Sequence, residues 1–102
     1  MKKSRMTILE EILTRPKGPG KVEIKNRRFL DMARNFAEEH DRLDSNYKQM
    51  KTAMVTKFVD GVGVADRASF SKKEKSDFTG AFILVETMMD IWARENPTSS
   101  SF

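Results

Sequence analysis

Apolar residues recur along this chain with a helical period, and proline and glycine divide the pattern into three segments. Clusters of Pro and Gly occupy residues 16–20 and 60–63, and Pro97 follows the last patterned stretch. Because helix interiors rarely tolerate proline or paired glycines, these positions mark breaks. The pattern predicts helices at about residues 7–14, 21–59 and 72–95, with an irregular stretch at 60–70.

The first predicted helix spans only two turns. Thr7 and Glu10 have the spacing of a capping box, which makes Thr7 the expected N-cap. One apolar stripe follows, formed by Ile8, Leu9, Ile12 and Leu13. Two turns are not stable alone, so this helix must dock on another part of the molecule.

The second segment carries the strongest periodic signal in the chain. From Phe29 to Met54 the apolar positions follow one another in steps of four and three residues, interrupted only by His40. The full series is Phe29, Ala33, Phe36, His40, Leu43, Tyr47, Met50 and Met54. Additional apolar residues flank this seam, so a globular bundle fits better than a strict two-stranded coiled coil.

The sequence leaves open whether the second helix continues through Asp44, Ser45 and Asn46. All three residues favour helix caps over helix interiors, which allows two helices hinged near Asp44. The apolar phase nevertheless passes unbroken through Leu43 and Tyr47. That continuity favours one helix of roughly 57 Å, at 1.5 Å per residue.

The third predicted helix is apolar over more than half of its circumference. It begins with a second capping box, Ser71 and Glu74, and ends before Asn96 and Pro97. Its main apolar row is Phe78, Phe82, Val85, Met89 and Trp92. We expect this helix to pack on two sides, with Phe82 and Trp92 buried, and we expect a disordered tail at residues 97–102.

These segments predict an all-α single domain over residues 1–96: a short N-terminal helix and a long antiparallel helical hairpin, together a three-helix bundle. The third helix, at about 36 Å, is about 20 Å shorter than a continuous second helix. Val22, Ile24, Phe29 and Leu30 would lie on the uncovered end. Either the first helix or a second subunit must cover them, so we expect a homodimer to complete the bundle.

Basic residues concentrate at the start of the chain. The net charge is +4, yet residues 1–28 hold nine Lys or Arg against three Glu, and residues 29–102 hold ten against twelve acidic residues. The candidate binding patch is Arg15, Lys17, Lys21, Lys25, Arg27 and Arg28. Such a patch suits phosphates or an acidic protein surface, but it lacks aromatic residues for stacking on single-stranded nucleic acid.

Composition argues against several kinds of chemistry. The 102 residues include no cysteine and one histidine, so we expect no metal site, no cofactor and no catalytic residues. The glycine loop at residues 17–21 lacks the strand and the Ser or Thr of a phosphate-binding loop. His40 is expected on or beside the packed seam, hydrogen-bonded to a carboxylate.

The lengths of the apolar segments bear on cellular location, and the helical surfaces bear on function. The longest apolar run, Phe78–Val85, is too short to cross a bilayer. The basic N-terminus is not followed by the apolar core of a signal peptide. We therefore expect a cytoplasmic or host-cell-interior protein without membrane contact. We expect a non-enzymatic adaptor, inhibitor or regulator that docks helical surfaces on a protein partner. The alternatives are a nucleic-acid-binding regulator using the basic patch, and a structural or assembly subunit.

Overall fold

A computed structural model describes residues 3–15 and 23–97, with Val64 and Ala65 described by their backbone alone. Its helices are α1 (Arg5–Thr14), α2 (Arg27–Leu43), α3 (Tyr47–Val55), α4 (Val64–Ala68) and α5 (Lys72–Glu95), and a π-helical turn, Thr56–Asp60, continues α3. Within these residues there is no strand, so the all-α class is confirmed. None of the described helices is both long and apolar enough to span a membrane.

The capping residues determine where α1 and α5 begin. The Ser4 hydroxyl accepts a hydrogen bond from the Thr7 amide at 3.1 Å, so the N-cap of α1 lies three residues before the predicted one. Thr7 as N-cap was therefore wrong, because Ser4 offers the same hydroxyl one turn earlier. The Ser71 and Glu74 capping box of α5 is confirmed, with both reciprocal hydrogen bonds present.

The long second helix was predicted wrongly, because the chain breaks at Asp44. Asp44 adopts the left-handed conformation, with φ 50° and ψ 46°, and the amide groups of Asp44 and Ser45 donate to the His40 carbonyl. Asn46 then caps α3 in a capping box with Gln49. The polar residues that favour caps thus outweigh the continuous apolar phase. Residues 23–26 are also non-helical, so α2 starts at Arg27 rather than near residue 21.

The break reverses the predicted directions of α3 and α5. Near the helix starts, the Phe29 ring of α2 lies 5.7 Å from the Phe78 ring of α5. Near the helix ends, the Arg5 side chain contacts both Asp41 of α2 and Trp92 of α5. These pairs show that α2 and α5 run parallel, so the predicted antiparallel hairpin of the two long helices is replaced by an up, down, up arrangement.

The returning element is α3 with its π-helical turn. The Tyr47 hydroxyl donates to Asp90 at 3.1 Å, and the Phe58 ring lies 6.1 Å from the Phe82 ring, so α3 is antiparallel to α5. In the π-helical turn the Gly61 amide donates to the Thr56 carbonyl at 2.8 Å. A Cβ atom at Gly61 would lie 2.5 Å from the Lys57 carbonyl oxygen, which explains the glycine at this position.

The core is built around α5, which packs against α1, α2 and α3, as its wide apolar face predicted. Of the predicted core residues, seven are buried: Phe29, Phe36, Met50, Met54, Val85, Met89 and Trp92. Tyr47, Phe78 and Phe82 pack on the core but are only half-buried, so full burial of Phe82 was wrong. Leu43 is 56% exposed, because the break at Asp44 turns the chain away just after it.

The supposedly uncovered end of α2 is covered. Phe29 is fully buried, and Phe70 packs edge-on against it at 5.3 Å between ring centroids. Phe70 follows α4, which occupies part of the stretch predicted as irregular. The length mismatch that favoured a dimer therefore disappears with the continuous helix. Val22 and, apart from Pro97, the predicted disordered tail fall outside the described residues, and the single-domain organisation stays a prediction.

Two substitutions at Asp44 distinguish a broken helix from a continuous one. In the left-handed conformation a Cβ atom costs about 1–2 kcal/mol, so Asp44→Gly is expected to be more stable than Asp44→Ala. In a continuous helix the order would reverse, because glycine is about 1 kcal/mol worse than alanine. Urea unfolding followed by circular dichroism gives the comparison. Arg42→Gly and Arg42→Ala, within α2, are the matched control and should show the helical order.

Candidate functional site

The amino end of α1 is held by a carboxylate from α2. The backbone amides of Arg5 and Met6 donate to the two carboxylate oxygens of Asp41 at 2.8 and 3.0 Å. These amides are among the donors that a helix leaves unsatisfied at its start. Asp41 therefore supplies the cap that ties α1 to the end of α2.

The Arg5 side chain fills the space between this cap and the break at Asp44. It is 3% exposed. Its guanidinium donates to Asp41 Oδ1 at 3.2 Å and to the Ser45 carbonyl, while its Nε atom donates to Met50 Sδ at 3.2 Å. The guanidinium carbon lies 4.0 Å from the centroid of the Trp92 ring, a cation–π contact. One cation thus joins α1, α2, the Asp44 break, α3 and α5.

His40 lies beside the same break. It is 4% exposed, and its Nδ1 atom lies 2.6 Å from the Ser45 hydroxyl. The predicted place on the packed seam is correct, but the predicted carboxylate partner is wrong, since Ser45 takes that position. Burial lowers the pKa of His40 below its ordinary value of 6.5, with Arg5 acting in the same direction and Glu39 and Asp41 opposing, so the imidazole is mostly neutral at pH 7.

The starts of α2 and α5 meet at the opposite end of the bundle. Their N-caps, Asn26 and Ser71, line one open cleft of about 280 Å³ together with Lys25 and Lys73. Buried Asp77 joins the two starts, because its Oδ2 atom accepts from the Asn26 amide at 2.8 Å. We define this end by its basic residues and call it the basic end: Lys25, Arg27, Arg28, Arg67, Lys72, Lys73 and Lys75.

Carboxylates lie between the positive charges of the basic end. Arg27 pairs with Asp31 at 3.8 Å, and Arg28 pairs with Asp66 at 3.9 Å. The Arg28 guanidinium also lies over the Phe29 ring, 5.5 Å from its centroid. Hydrogen bonds from Ser71 lower the pKa of Glu74 and keep that carboxylate ionised. The surface is therefore mixed in charge, with a basic excess.

Half of the predicted basic patch lies within the basic end. Lys25, Arg27 and Arg28 are all exposed there. Arg15 follows the last residue of α1 and is half-buried, with its amide bonded to the Ile12 carbonyl. Lys17 and Lys21 lie outside the described residues.

Four members of the basic end were missed by the sequence analysis: Arg67, Lys72, Lys73 and Lys75. The capping box at Ser71 located the three lysines at a helix start, but a continuous second helix would have separated that start from Lys25 by most of its length. The missing information was the direction of α5, which depends on the break at Asp44.

The comparisons with known proteins add no assignment. No family model matches the chain, and searches of curated proteins and of solved structures found no match. In the part of the chain that the structure describes, no three His, Asp or Glu side chains are grouped as metal ligands would be. Function must therefore be inferred from the surfaces of this chain itself.

Replacing Arg5 tests its role at the break. Arg5→Met is expected to lower the free energy of unfolding by about 3–5 kcal/mol, because Asp41 and the Ser45 carbonyl lose a buried partner. Arg5→Lys should recover only part of this loss, since an ammonium cannot reproduce the guanidinium fork. Chemical unfolding measures both. The control Lys3→Met removes an exposed cation that pairs with Glu11 and should have little effect; equal losses at the two positions would contradict the role of Arg5.

Proposed function

We propose that the protein is a non-enzymatic adaptor, inhibitor or regulator of the cytoplasm or of a host-cell interior, and that it docks its basic end on an acidic surface of a protein partner. The observation that supports this is the meeting of two helix starts around Lys25 and Lys73. Parallel helices add their dipoles, so the starts of α2 and α5 reinforce the positive potential of the basic side chains.

The charge pattern favours a protein over a polyphosphate chain. Across residues 23–31 and 66–77, seven basic side chains are interspersed with five carboxylates, of which Asp77 is buried. A uniformly negative nucleic acid backbone would be repelled by exposed Asp31 and Asp66, which lie beside the arginines. A protein surface carries charges of both signs and can match each one. Mixed charge of this kind supports specific docking rather than general attraction to phosphates.

Charge reversal at the basic end tests the proposal. Arg27→Glu combined with Lys73→Glu should abolish retention of a partner captured from nuclease-treated lysate, and should slow association with that partner once it is purified. Arg42→Glu combined with Lys48→Glu changes the net charge equally at the other end of α2 and should retain the partner. Loss of the partner after nuclease treatment, or equal retention by both variants, would contradict docking on a protein through this end.

A nucleic-acid-binding regulator is the second candidate, favoured by the same two helix starts, since helix N-termini bind phosphate. Its test is a gel shift with duplex DNA and structured RNA at ~10 µM protein and ~50 mM salt. Binding would weaken with salt by about 0.9 log units per log unit for each phosphate contact on duplex DNA. No shift with either ligand would remove this candidate.

We also propose that the chain forms a homodimer through the α3 and α5 seam. The pairing of Tyr47 with Asp90 places Val55 at the level of Ile83, and Val59 follows one turn beyond. These three apolar side chains, which we call the apolar strip, are each more than a third exposed.

Opposite charges lie beside the apolar strip. By the same register, Lys51 of α3 lies level with Glu86 of α5. A two-fold axis presents the same surface on both subunits, and such a strip is self-complementary.

Sedimentation equilibrium at tens of micromolar tests the homodimer. The expected mass is twice 11.7 kDa. Ile83→Lys, in the apolar strip, should give the monomer with an unchanged circular dichroism spectrum. Leu43→Lys replaces a still more exposed apolar residue outside the strip and should remain dimeric. A single species of 11.7 kDa for the unmodified protein would contradict the proposal.

A further inference from the structure

His40 and Arg5 both contact Ser45 at the break between α2 and α3. The Nδ1 atom of His40 lies 2.6 Å from the Ser45 hydroxyl, and the Arg5 guanidinium donates to the Ser45 carbonyl. The Ser45 amide in turn donates to the His40 carbonyl at 3.3 Å. All three residues are buried, and we call them the His40 cluster. The cluster joins α1 to the end of α2 and to the break that leads into α3.

The second nitrogen of His40, Nε2, is closed off from solvent. It has no hydrogen-bond partner among residues 3–15 and 23–97. A neutral imidazole tolerates this, because either tautomer can bond through Nδ1 to a hydroxyl that both donates and accepts. An imidazolium carries N–H groups on both nitrogens. Protonation would therefore leave a charged, unpaired N–H group in the interior, which costs far more than a neutral unpaired nitrogen.

Charged groups lie on each element at this corner of the molecule: Arg5 of α1, Glu39 and Asp41 of α2, Asp44 of the break, Lys57 of the π-helical turn, and Glu86 and Asp90 of α5, which face Tyr47. Burial has the largest effect on the pKa of His40 and lowers it, and Arg5 lowers it further, while Glu39 and Asp41 raise it. Glu39 is exposed to water, and Asp41 already accepts from the Arg5 guanidinium. The carboxylates therefore do not compensate for burial.

We propose that the His40 cluster is a pH-sensitive switch, in which protonation of His40 opens the break at Asp44 and releases α1. The imidazolium reaches water only by leaving its contact with Ser45. When Ser45 moves, Arg5 loses the carbonyl that it bonds in the interior. A ten-residue helix is not stable alone, so α1 unfolds once it is released. The basic end lies at the other end of the bundle, and the switch does not rest on the proposed docking.

The pH dependence of the switch has a defined sign. In the open form the pKa of His40 returns to about its ordinary value of 6.5, whereas in the closed form it is lower. The open form therefore binds the proton more readily, and the closed form loses stability as the pH falls below about 6.5. The equilibrium constant for opening rises by up to about tenfold per pH unit, until the pKa of the closed form is reached. Ordinary Asp and Glu side chains titrate near pH 4, below this range.

Hydrogen exchange of backbone amides, measured by NMR between about pH 7 and pH 5, tests the switch. The readout is the protection factor, the intrinsic exchange rate at each pH divided by the measured rate. Amides of Ile8, Leu9 and Ile12 in α1 should be less protected than those of Leu84 and Val85 in α5, because α1 opens without complete unfolding. Protection of the α1 amides should fall at least about fivefold from pH 7 to pH 5.

Two results of the exchange experiment would overturn the proposal. Equal protection in α1 and α5 would mean that α1 is released only when the whole chain unfolds. Protection of α1 that does not change with pH would mean that its release does not expose His40. Because the chain has a single histidine, an NMR titration of its ring also gives the pKa of the closed form without any variant. A pKa at or above about 6.5 would contradict the switch.

A matched pair of variants assigns the pH dependence to the ring. In His40→Asn the side-chain amide can still bond to the Ser45 hydroxyl, but it does not titrate. The protection of α1 in this variant should change less than about twofold between pH 7 and pH 5. Glu38→Gln alters an exposed carboxylate nearby in α2 and should keep the full pH dependence. An undiminished pH dependence in His40→Asn would overturn the proposal.

Discussion

The buried guanidinium of Arg5 is the interaction on which the rest of the fold depends. A cation removed from water must find acceptors, and this one finds the Asp41 carboxylate at the end of α2 and the Ser45 carbonyl just after it. That carbonyl is available because Asp44 leaves the helical path in the left-handed conformation. The break and the docking of α1 therefore support each other, since each supplies what the other would leave unsatisfied.

The reversal of chain direction at Asp44 also determines where the basic end lies. Because the chain turns back at Asp44, α3 descends along α5, and α5 then runs parallel to α2. The N-termini of the two longest helices consequently share one end, where their dipoles and basic side chains add. One local backbone conformation thus determines where the basic end lies.

Helix caps and buried helix faces could be predicted from the sequence, because they depend on residue types within a few positions of one another. The Ser71 cap, the two-sided burial of α5 and the docking of α1 all follow from residue type and spacing. The break at Asp44 could not be decided in the same way. Asp44, Ser45 and Asn46 favoured a break, the apolar phase favoured continuity, and the deciding contact came from Arg5, forty residues before Ser45 in the chain.

The candidate sites show the same limit. Lys25, Arg27 and Arg28 were predicted from charge alone, whereas Lys73 joins them only because α5 is parallel to α2. His40 was expected on the packed seam with a carboxylate partner, but its Nδ1 atom contacts the Ser45 hydroxyl, which the break places beside it. The apolar pattern identified residue types and helices, but it did not give the direction of α5 relative to α2.

The direction of α5 relative to α2 is the central claim, and a distance measurement tests it most directly. The chain has no cysteine, so Lys25→Cys and Lys73→Cys give two unique sites for spin labels. With a break at Asp44 the labels should lie within roughly 20 Å, because adjacent packed helices are about 8–10 Å apart and the label arms add the remainder. A continuous second helix with an antiparallel α5 would separate the two sites by about 50 Å, at 1.5 Å per residue. A short distance supports the account, and the long distance would contradict it.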